Sequence, residues 1–403
     1  MPSLRDWRRD QISNSIFIGP DVHKATISVA VAQGERGGEV RHWGPVPHRL
    51  DHVRKLVEKL GAGGARLRFC YEAGPCGYGL HRQLLEMGHD CIVVAPSLIP
   101  LKAGDRVKTD RRDAAMLAKL HRAGELTAVW VPDAAHEAMR DLVRARAAMR
   151  VTGKARQNLQ GFLLRHGRIY PDRKGWTGAY RRWLALVRFT HPAQQIVLQD
   201  YIDAVADAEA RVERLTGQIA DLLPQWSLAP VVEAVQAMRG VGFIVAVTVV
   251  AEVGDFNRFD NPRQLMAYLG LTPSEHSSGA SVRRGGITKA GSGLARRVLI
   301  EGAWSCRMQA RVSPKLLARL EALPQATSPG RDSSGCASDP AIWLRQEKPR
   351  WGVTRAIARE MAGFIWAIAK MVTAAPAHTA GQDAWRKGHS SGRPMRRVGG
   401  GTR

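Results

Sequence analysis

No stretch of this 403-residue sequence stays apolar for the roughly eighteen residues that a membrane span needs; the longest candidate, Phe243–Val250, is far too short. Met1–Gln11 is charged and polar, without the apolar centre of a secretory signal, so a cytoplasmic protein with no membrane partner is expected. Cysteine is scarce and scattered. The five residues (Cys70, Cys76, Cys91, Cys306 and Cys336) are odd in number and form no C-x-x-C pair, which argues against a zinc ribbon and for reduced thiols. A Walker phosphate loop is missing too, which argues against ATP hydrolysis by this chain. The last shortage is of acids: 36 Asp and Glu stand against 60 Lys and Arg, which leaves +24 and a pI near 10.7. A basic surplus spread along the chain points to nucleic acid as partner. An acidic membrane surface, the competing reading, is weakened by the lack of apolar runs.

The length predicts two or three domains with cores of their own. The first is organised around Lys108–Ala123, K-T-D-R-R-D-A-A-M-L-A-K-L-H-R-A, which reads as a helix with two carboxylates in its opening turn. Asp110 and Asp113 are three residues apart and share a helix face, with Cβ atoms roughly 5–6 Å apart. That spacing suits paired ligands of a divalent metal, although acids in a first turn also serve the helix dipole alone. Lys108, Arg111, Arg112, Lys119 and Arg122 form a basic fringe around them, as a site receiving a phosphate backbone needs.

Upstream, Ile16–Val22 reads as a strand carrying Asp21 near its end, and Ile27, Val29 and Val31 alternate as a second. A third spans Glu39–Val46, and Val53, Leu56, Val57 and Leu60 mark one face of a helix. Leu67, Phe69 and Tyr71 alternate as a fourth strand that delivers Glu72; Leu80, Leu84 and Leu85 mark a second helix, and Cys91–Val94 is a fifth strand. The order β-β-β-α-β-α-β-α resembles an α/β ribonuclease H-like fold of the RuvC type, in which strands one and four are neighbours and the last helix packs across their ends. This resemblance implies that Asp21, Glu72, Asp110 and Asp113 converge as a D-E-D-D set holding Mg2+, a hard ion that takes carboxylate oxygen. Two such ions about 3.5–4 Å apart stabilise the attacking and leaving oxygens of a phosphodiester exchange. One residue departs from the pattern: Pro20, directly before Asp21, removes a ladder donor from what should be an inner strand.

From Glu137 to about Arg168 a long helical pattern is dense in arginine, including Arg140, Arg144, Arg146, Arg150, Arg156, Arg165 and Arg168. An excess of one sign makes backbone binding, with Arg144 as a candidate contact, at least as good a reading as a solvated face. Leu198, Tyr201, Val205, Ala208, Val212, Leu215, Ile219 and Leu222 then recur at spacings of three and four, a heptad seam that predicts either a helical hairpin or a self-association coil. Near Leu228 a further domain begins. Its Gly240-Val241-Gly242 turn resembles the hairpin of helix-hairpin-helix DNA-binding modules, but glycines linking two buried helices look the same. More specific is Leu269–Ala303, a serine- and glycine-rich loop carrying Ser274, Ser277, Ser278 and Ser281. Arg283, Arg284, Lys289, Arg296 and Arg297 accompany it, a cation cluster suited to holding a scissile phosphate and its added charge. A serine hydroxyl needs a base or a metal to become a nucleophile. His276, two residues before Ser278, is the histidine to test; His23, His81 and His121 read as surface or packed residues.

K-T-D-R-R-D-A-A with upstream G-P-D-V-H-K and Y-E-A-G-P, followed by R-Q-L-M-A-Y-L-G-L-T-P-S-E-H-S-S-G and G-G-I-T-K-A-G, resembles the DEDD-plus-serine insertion-sequence transposases, the one-hundred-ten family. The resemblance covers roughly Ile16–Leu320 and resumes at about Thr354–Lys370. It implies a RuvC-like domain in residues 1–130, a helical coiled-coil linker in 131–227 and a mainly α C-terminal transposase domain in 228–375; composition predicts a disordered basic tail in 376–403. It also implies DNA recombination with Ser278 as nucleophile, forming a phosphoseryl-DNA link, and Mg2+ held by Asp21, Glu72, Asp110 and Asp113. A structured bridge RNA as guide and a dimer or tetramer on DNA complete the expectation. Between about Ala326 and Gly352, turn-rich sequence replaces the helical, basic pattern usual in the family. Two other readings stay open: a metal-dependent nuclease or junction resolvase whose serine loop only binds phosphate, and a nucleic-acid-binding remnant without chemistry.

Overall fold

The computed structural model describes residues 14–35, 37–100, 109–147, 151–172, 175–279, 281–307, 314, 317, 319 and 350–374. Lys108, the divergent segment up to 349 and the basic tail lie outside the described residues. The chain parts into two compact units between Pro132 and Asp133.

The first unit follows the order read from the sequence: β1 (Ser15–Val22), β2 (Thr26–Gln33), β3 (Val40–Pro47), α1 (Leu50–Gly61), β4 (Arg66–Glu72), α2 (Gly79–Glu86), β5 (Asp90–Val94) and α3 (Asp110–Ala123). Its strands form one mixed sheet in the order β3-β2-β1-β4-β5. β1 pairs antiparallel with β2 and parallel with β4, which in turn pairs parallel with β5. Successive side chains of a strand point to opposite faces. Ile18 of β1 and Leu67, Phe69 and Tyr71 of β4 accordingly join the core under α1 and α2. Phe17 and Cys70 take the other face, which α3 covers with Ala114, Leu117 and Ala118.

Gly19 lies on that α3 face, and its missing side chain lets the helix settle there. A Cβ at Gly19 would run into the carbonyl oxygen of Ala114 and the amide nitrogen of Ala118. Further along, the Cys70 thiol donates to the Leu117 carbonyl at 3.4 Å. Arg122, in the last turn, donates to the carbonyls of Gln33 and Gly38 at 3.1 and 2.7 Å, tying α3 to the β2–β3 turn. Pro20 is accommodated because the β1–β4 ladder has already ended at Ile18↔Phe69, whereas the β1–β2 pairing continues through Pro20↔Val29 to Val22↔Ile27. One side of the strand no longer calls for a donor by the time the proline is reached.

The second unit is mainly helical: α4 (Ala134–Ala147), α5 (Val151–Arg165), α6 (Gly178–Leu186), α7 (Pro192–Leu222), α8 (Ala229–Val235), α9 (Phe243–Val253), α10 (Pro262–Tyr268), the two-stranded ribbon β6 (Pro273–Glu275) and β7 (Arg284–Ile287), α11 (Gly293–Ala303) and α12 (Arg350–Ala374). The arginine-dense stretch supplies α4 and α5, and the heptad seam lies on α7. Three contacts fix their direction: Arg146 to Thr216 at 2.7 Å, Arg156 to Glu209 at 2.6 Å, and the Phe162 ring 5.7 Å from that of Tyr201. Numbers rise on one side as they fall on the other, so α4 and α5 run antiparallel to α7 and cover the seam from within the chain. Leu198, Val205, Ala208 and Ile219 are buried by this packing, while Leu222 stays exposed. α9, apolar but for Thr248 and Glu252, is buried from Ala246 to Val253 among the helices of the C-terminal core, as so apolar a helix must be in a globular unit. No helix among the described residues is long and apolar enough to cross a membrane.

Gly19→Val should drive α3 off β1 and lower the unfolding free energy by about 3 kcal/mol, the upper range of overpacking. Gly63→Ala, where a Cβ meets nothing within 4 Å, should change it by less than about 0.5 kcal/mol. Paired urea titrations of the two variants check this, and equal midpoints would refute the close-contact role of Gly19.

Candidate functional site

Thr109 determines where α3 begins. Its backbone is extended and its Oγ1 accepts from the Arg112 amide at 3.3 Å, a side-chain N-cap that makes Asp110 the first helical residue. His23, in the turn after β1, stands between Asp110 and Asp21: its Nε2 is 3.2 Å from Asp21 Oδ2 and 3.6 Å from Asp110 Oδ1. One ligand atom from each of the three lies within 4.8 Å of the other two. Asp21 is largely shielded, with 18% of its side chain exposed, whereas Asp110 is 67% exposed. Burial pushes the Asp21 carboxyl above its ordinary value; His23 pulls it back, and the like charges of Asp110 and Asp113 raise it further. Carboxylates crowded in this way, with an imidazole beside them, fit a divalent cation, because the cation relieves their repulsion and accepts oxygen and nitrogen donors alike.

Glu72 ends β4 two residues after Cys70, on the face that α3 covers. The β1–β4 ladder ends three residues before it, at Ile18↔Phe69. The structure thus brings Asp21 and Asp110 together and places Asp113 close enough to act on Asp21. Neither Glu72 nor Asp113 supplies an atom to the 4.8 Å cluster. His23, read from the sequence as a surface or packed residue without a catalytic role, is exposed and does belong to it. The available signal was its position two residues beyond Asp21, across the end of a strand. Arg111 and Arg112 are exposed on the same opening turn of α3.

The serine-rich stretch is a β-ribbon. Beyond the β6–β7 pair Glu275↔Arg284, the His276 amide donates to the Arg283 carbonyl at 2.9 Å, and Ser278 and Ser281 exchange backbone hydrogen bonds of 3.0 and 3.1 Å. Only two residues connect them. Gly279 takes φ 56°, the left-handed value that two-residue hairpin turns require, and Ser278 is exposed at this tip. At the base, Gly270 and Gly291 have φ 64° and 62°. A Cβ at Gly270 would strike the Ala290 backbone, and one at Gly291 the Tyr268 carbonyl, so both legs need glycine to cross. Arg296 of α11 donates to the carbonyls of Leu269 and Ala290 at 2.9 and 2.6 Å, pinning the two legs.

The cations expected near Ser278 therefore differ in what holds them. Arg283 and Lys289 are exposed, Arg284 lies 3.4 Å from Glu275, and Arg297 lies 3.5 Å from Glu301. Arg144, expected at a nucleic-acid backbone, has its guanidinium on the buried Glu252, at 2.7 and 3.0 Å. Burial alone would raise the Glu252 carboxyl, but the Arg144 hydrogen bond and charge hold it below the usual carboxylate range. In the Gly240-Val241-Gly242 turn, Gly240 takes φ 80° and meets the Gly302 carbonyl of α11, so helix packing accounts for the first glycine.

Comparison with known proteins matches the two regions separately. Residues 18–167 fit a family model described as a transposase, of the DEDD IS110 type, and residues 232–319 fit the model of the transposase IS116/IS110/IS902 family. Over 88% of each chain the sequence is 48% identical to the putative transposase y4qE of Sinorhizobium fredii (strain NBRC 101917 / NGR234). The chain belongs to the IS110 family of insertion-sequence transposases. The transposase for insertion sequence element IS1533 of Leptospira borgpetersenii is 32% identical over 62% of this chain and 73% of its own length. A probable family 20 transposase of Pseudomonas aeruginosa is 31% identical over 64% and 79%. Both matched regions of this transposase contain one of the sites described above: the acids in the first, the ribbon in the second.

Arg144→Ala should cost about 3 kcal/mol of stability, because it strands a buried carboxylate, and any loss of nucleic-acid binding should follow unfolding. Glu252 titrates lower in the folded chain than in the unfolded one. Its contribution is complete above the ordinary carboxylate range and is lost as pH falls through the depressed value. Glu252→Gln should flatten that part of the acid-denaturation profile, as measured by urea midpoints from neutral to acid pH.

Proposed function

We propose that this transposase cuts and rejoins the DNA of an insertion sequence with both sites, the serine of the ribbon forming the covalent link and the acids of the first unit holding Mg2+. The observation that carries the proposal is the presence, in one chain, of the Asp21–His23–Asp110 cluster and of Ser278 exposed at the tip of a glycine-closed ribbon. The mixed sheet with α3 across β1 supports a ribonuclease H-like, RuvC-type reading of the first unit, and α7 with its antiparallel partners supports a coiled-coil-like linker before the C-terminal transposase domain. Asp21 and Asp110 would hold the ion, with Glu72 and Asp113 completing the set and His23 keeping the two aspartates in register. When bound, Mg2+ supplies Lewis-acid stabilisation of the charge that builds on the scissile phosphate.

The chain's own residues do the rest. Ser278 Oγ attacks phosphorus; the bond from phosphorus to the sugar oxygen breaks, and its electron pair leaves with that oxygen, which takes up a proton. The hydroxyl proton passes to solvent or to His276, which the strand alternation puts on the same face of the ribbon. Attack by an incoming sugar hydroxyl reverses the step and frees the serine. Arg283 by the serine, Lys289 at the base of the ribbon, and Arg111 and Arg112 by the acids would hold phosphates, all four being exposed. The +24 surplus and the family support DNA as partner, with a structured guide RNA that delegates base reading to pairing, and a homodimer or tetramer working in the cytoplasm.

Wild type, Ser278→Ala and Asp110→Asn, incubated with Mg2+, element-end DNA and its adjacent transcript, should separate on a denaturing gel. The wild type should give a covalent protein–DNA adduct and Ser278→Ala none. Asp110→Asn should lose on the order of 10²-fold in adduct yield while keeping DNA affinity. Cleavage by Ser278→Ala at the wild-type rate would instead make the protein a metal-dependent nuclease, and binding without any cleavage an inactive remnant.

A further inference from the structure

The two adjacent serines at the ribbon tip are held differently. The Ser277 hydroxyl donates to Glu275 Oε1 at 2.8 Å and accepts from the Arg283 backbone amide at 3.3 Å. Glu275 is held in turn from the opposite strand, with its Oε2 3.4 Å from Arg284 Nε. The chain Arg284–Glu275–Ser277–Arg283 amide therefore crosses the ribbon twice and staples the last residues before the turn. Among the described residues, no hydrogen-bond partner engages the Ser278 hydroxyl. Alternation explains the contrast: Glu275, Ser277 and Arg284 share one face of the ribbon, whereas His276, Ser278, Ser281 and Arg283 share the other.

We infer that Glu275, Ser277 and Arg284 are positioning residues, a side-chain lock on one face of the ribbon that fixes the tip so that Ser278 meets the scissile phosphate from the other. The inference rests on the reading of Ser278 as nucleophile and adds residues to it. A nucleophile misplaced by about 1 Å can lose on the order of 10²-fold in rate, and a two-residue turn between short, exposed strands has little else to hold it. Both donor and acceptor capacity of the Ser277 hydroxyl are used in the lock, which leaves Ser278 as the free hydroxyl of the pair. The Glu275 carboxyl, held below its ordinary value by Ser277 and then by Arg284, stays ionised and keeps the lock closed at neutral pH.

The test follows adduct formation on a saturating concentration of element-end DNA with Mg2+ and the transcript, and maps the DNA-linked peptide by mass spectrometry. For the wild type the link should map to Ser278. Ser277→Ala should slow adduct formation about 10- to 100-fold at saturation, leave the half-saturating DNA concentration unchanged, and still link through Ser278. Ser277→Thr, which keeps the hydroxyl, should recover to within about threefold, and Glu275→Gln should fall between the two. A link that maps to Ser277, or a Ser277→Ala rate within twofold of wild type, overturns the positioning role while leaving serine chemistry in place. A wild type without any adduct overturns the serine reading and this role with it.

Discussion

Contact between two stretches of main chain, α3 lying on β1 at Gly19, determines the first site. A helix normally stands off a sheet by the length of its side chains. Here Gly19 on one side and Ala114 and Ala118 on the other remove that spacer. The Thr109 cap then sets where the helix starts, and Arg122 anchors its far end to the β2–β3 turn. With position and axial register fixed in this way, Asp110 has little freedom to avoid Asp21, although both carry negative charge. The opening turn of α3 offsets part of the repulsion, since helix N-termini favour anions, and His23 takes up more of it.

The second unit uses the same device. Gly270 against Ala290, Gly291 against Tyr268, and Gly240 against Gly302 are all places where backbone meets backbone. Such contacts hold a ribbon more firmly than long side chains do, because they involve no rotamers. Arg296 adds one nitrogen, Nη1, that donates to both of the same two legs. The base of the ribbon is thus set by main chain and its tip by the side chains of Glu275, Ser277 and Arg284, with Ser278 beyond both.

The alternating apolar residues of Leu67–Tyr71 and the three-and-four spacing of Val53–Leu60 made the order of the first unit legible, because each pattern fits a single period. Asp21 near a strand end and Asp110 in a first turn were legible as candidates by position, while Glu72 and Asp113, read in the same way, lie outside the cluster. His23 was not legible, since one histidine after a strand carries no periodicity, and although Asp21 is its neighbour in sequence, only the return of α3 from far along the chain brings Asp110 to it. The ribbon was hidden for another reason: Ser, Gly and Arg dominate it, and its pairing rests on backbone hydrogen bonds that leave no apolar alternation. Arg144 looked like the rest of its basic run because its partner, Glu252, is 108 residues away. The seam on α7 was plain, but two coverings fit it equally until the path of α4 and α5 was known.

Arginine in this chain does two jobs that composition cannot separate. Arg144 meets a carboxylate and is neutralised by it, so it adds little to the field outside. Arg122 and Arg296 each bond two carbonyls through Nη1, which fixes the side chain but leaves the charge intact. A phosphate near the base of the ribbon would feel the full charge of Arg296, whose Nη1 is held by the two legs. Cations of this second kind raise long-range attraction and fix the fold at once, whereas Arg283 and Lys289 remain available for direct contact. The +24 surplus is therefore a poor count of backbone contacts but a fair measure of the field that draws a polyanion in, since carbonyl partners do not subtract from it.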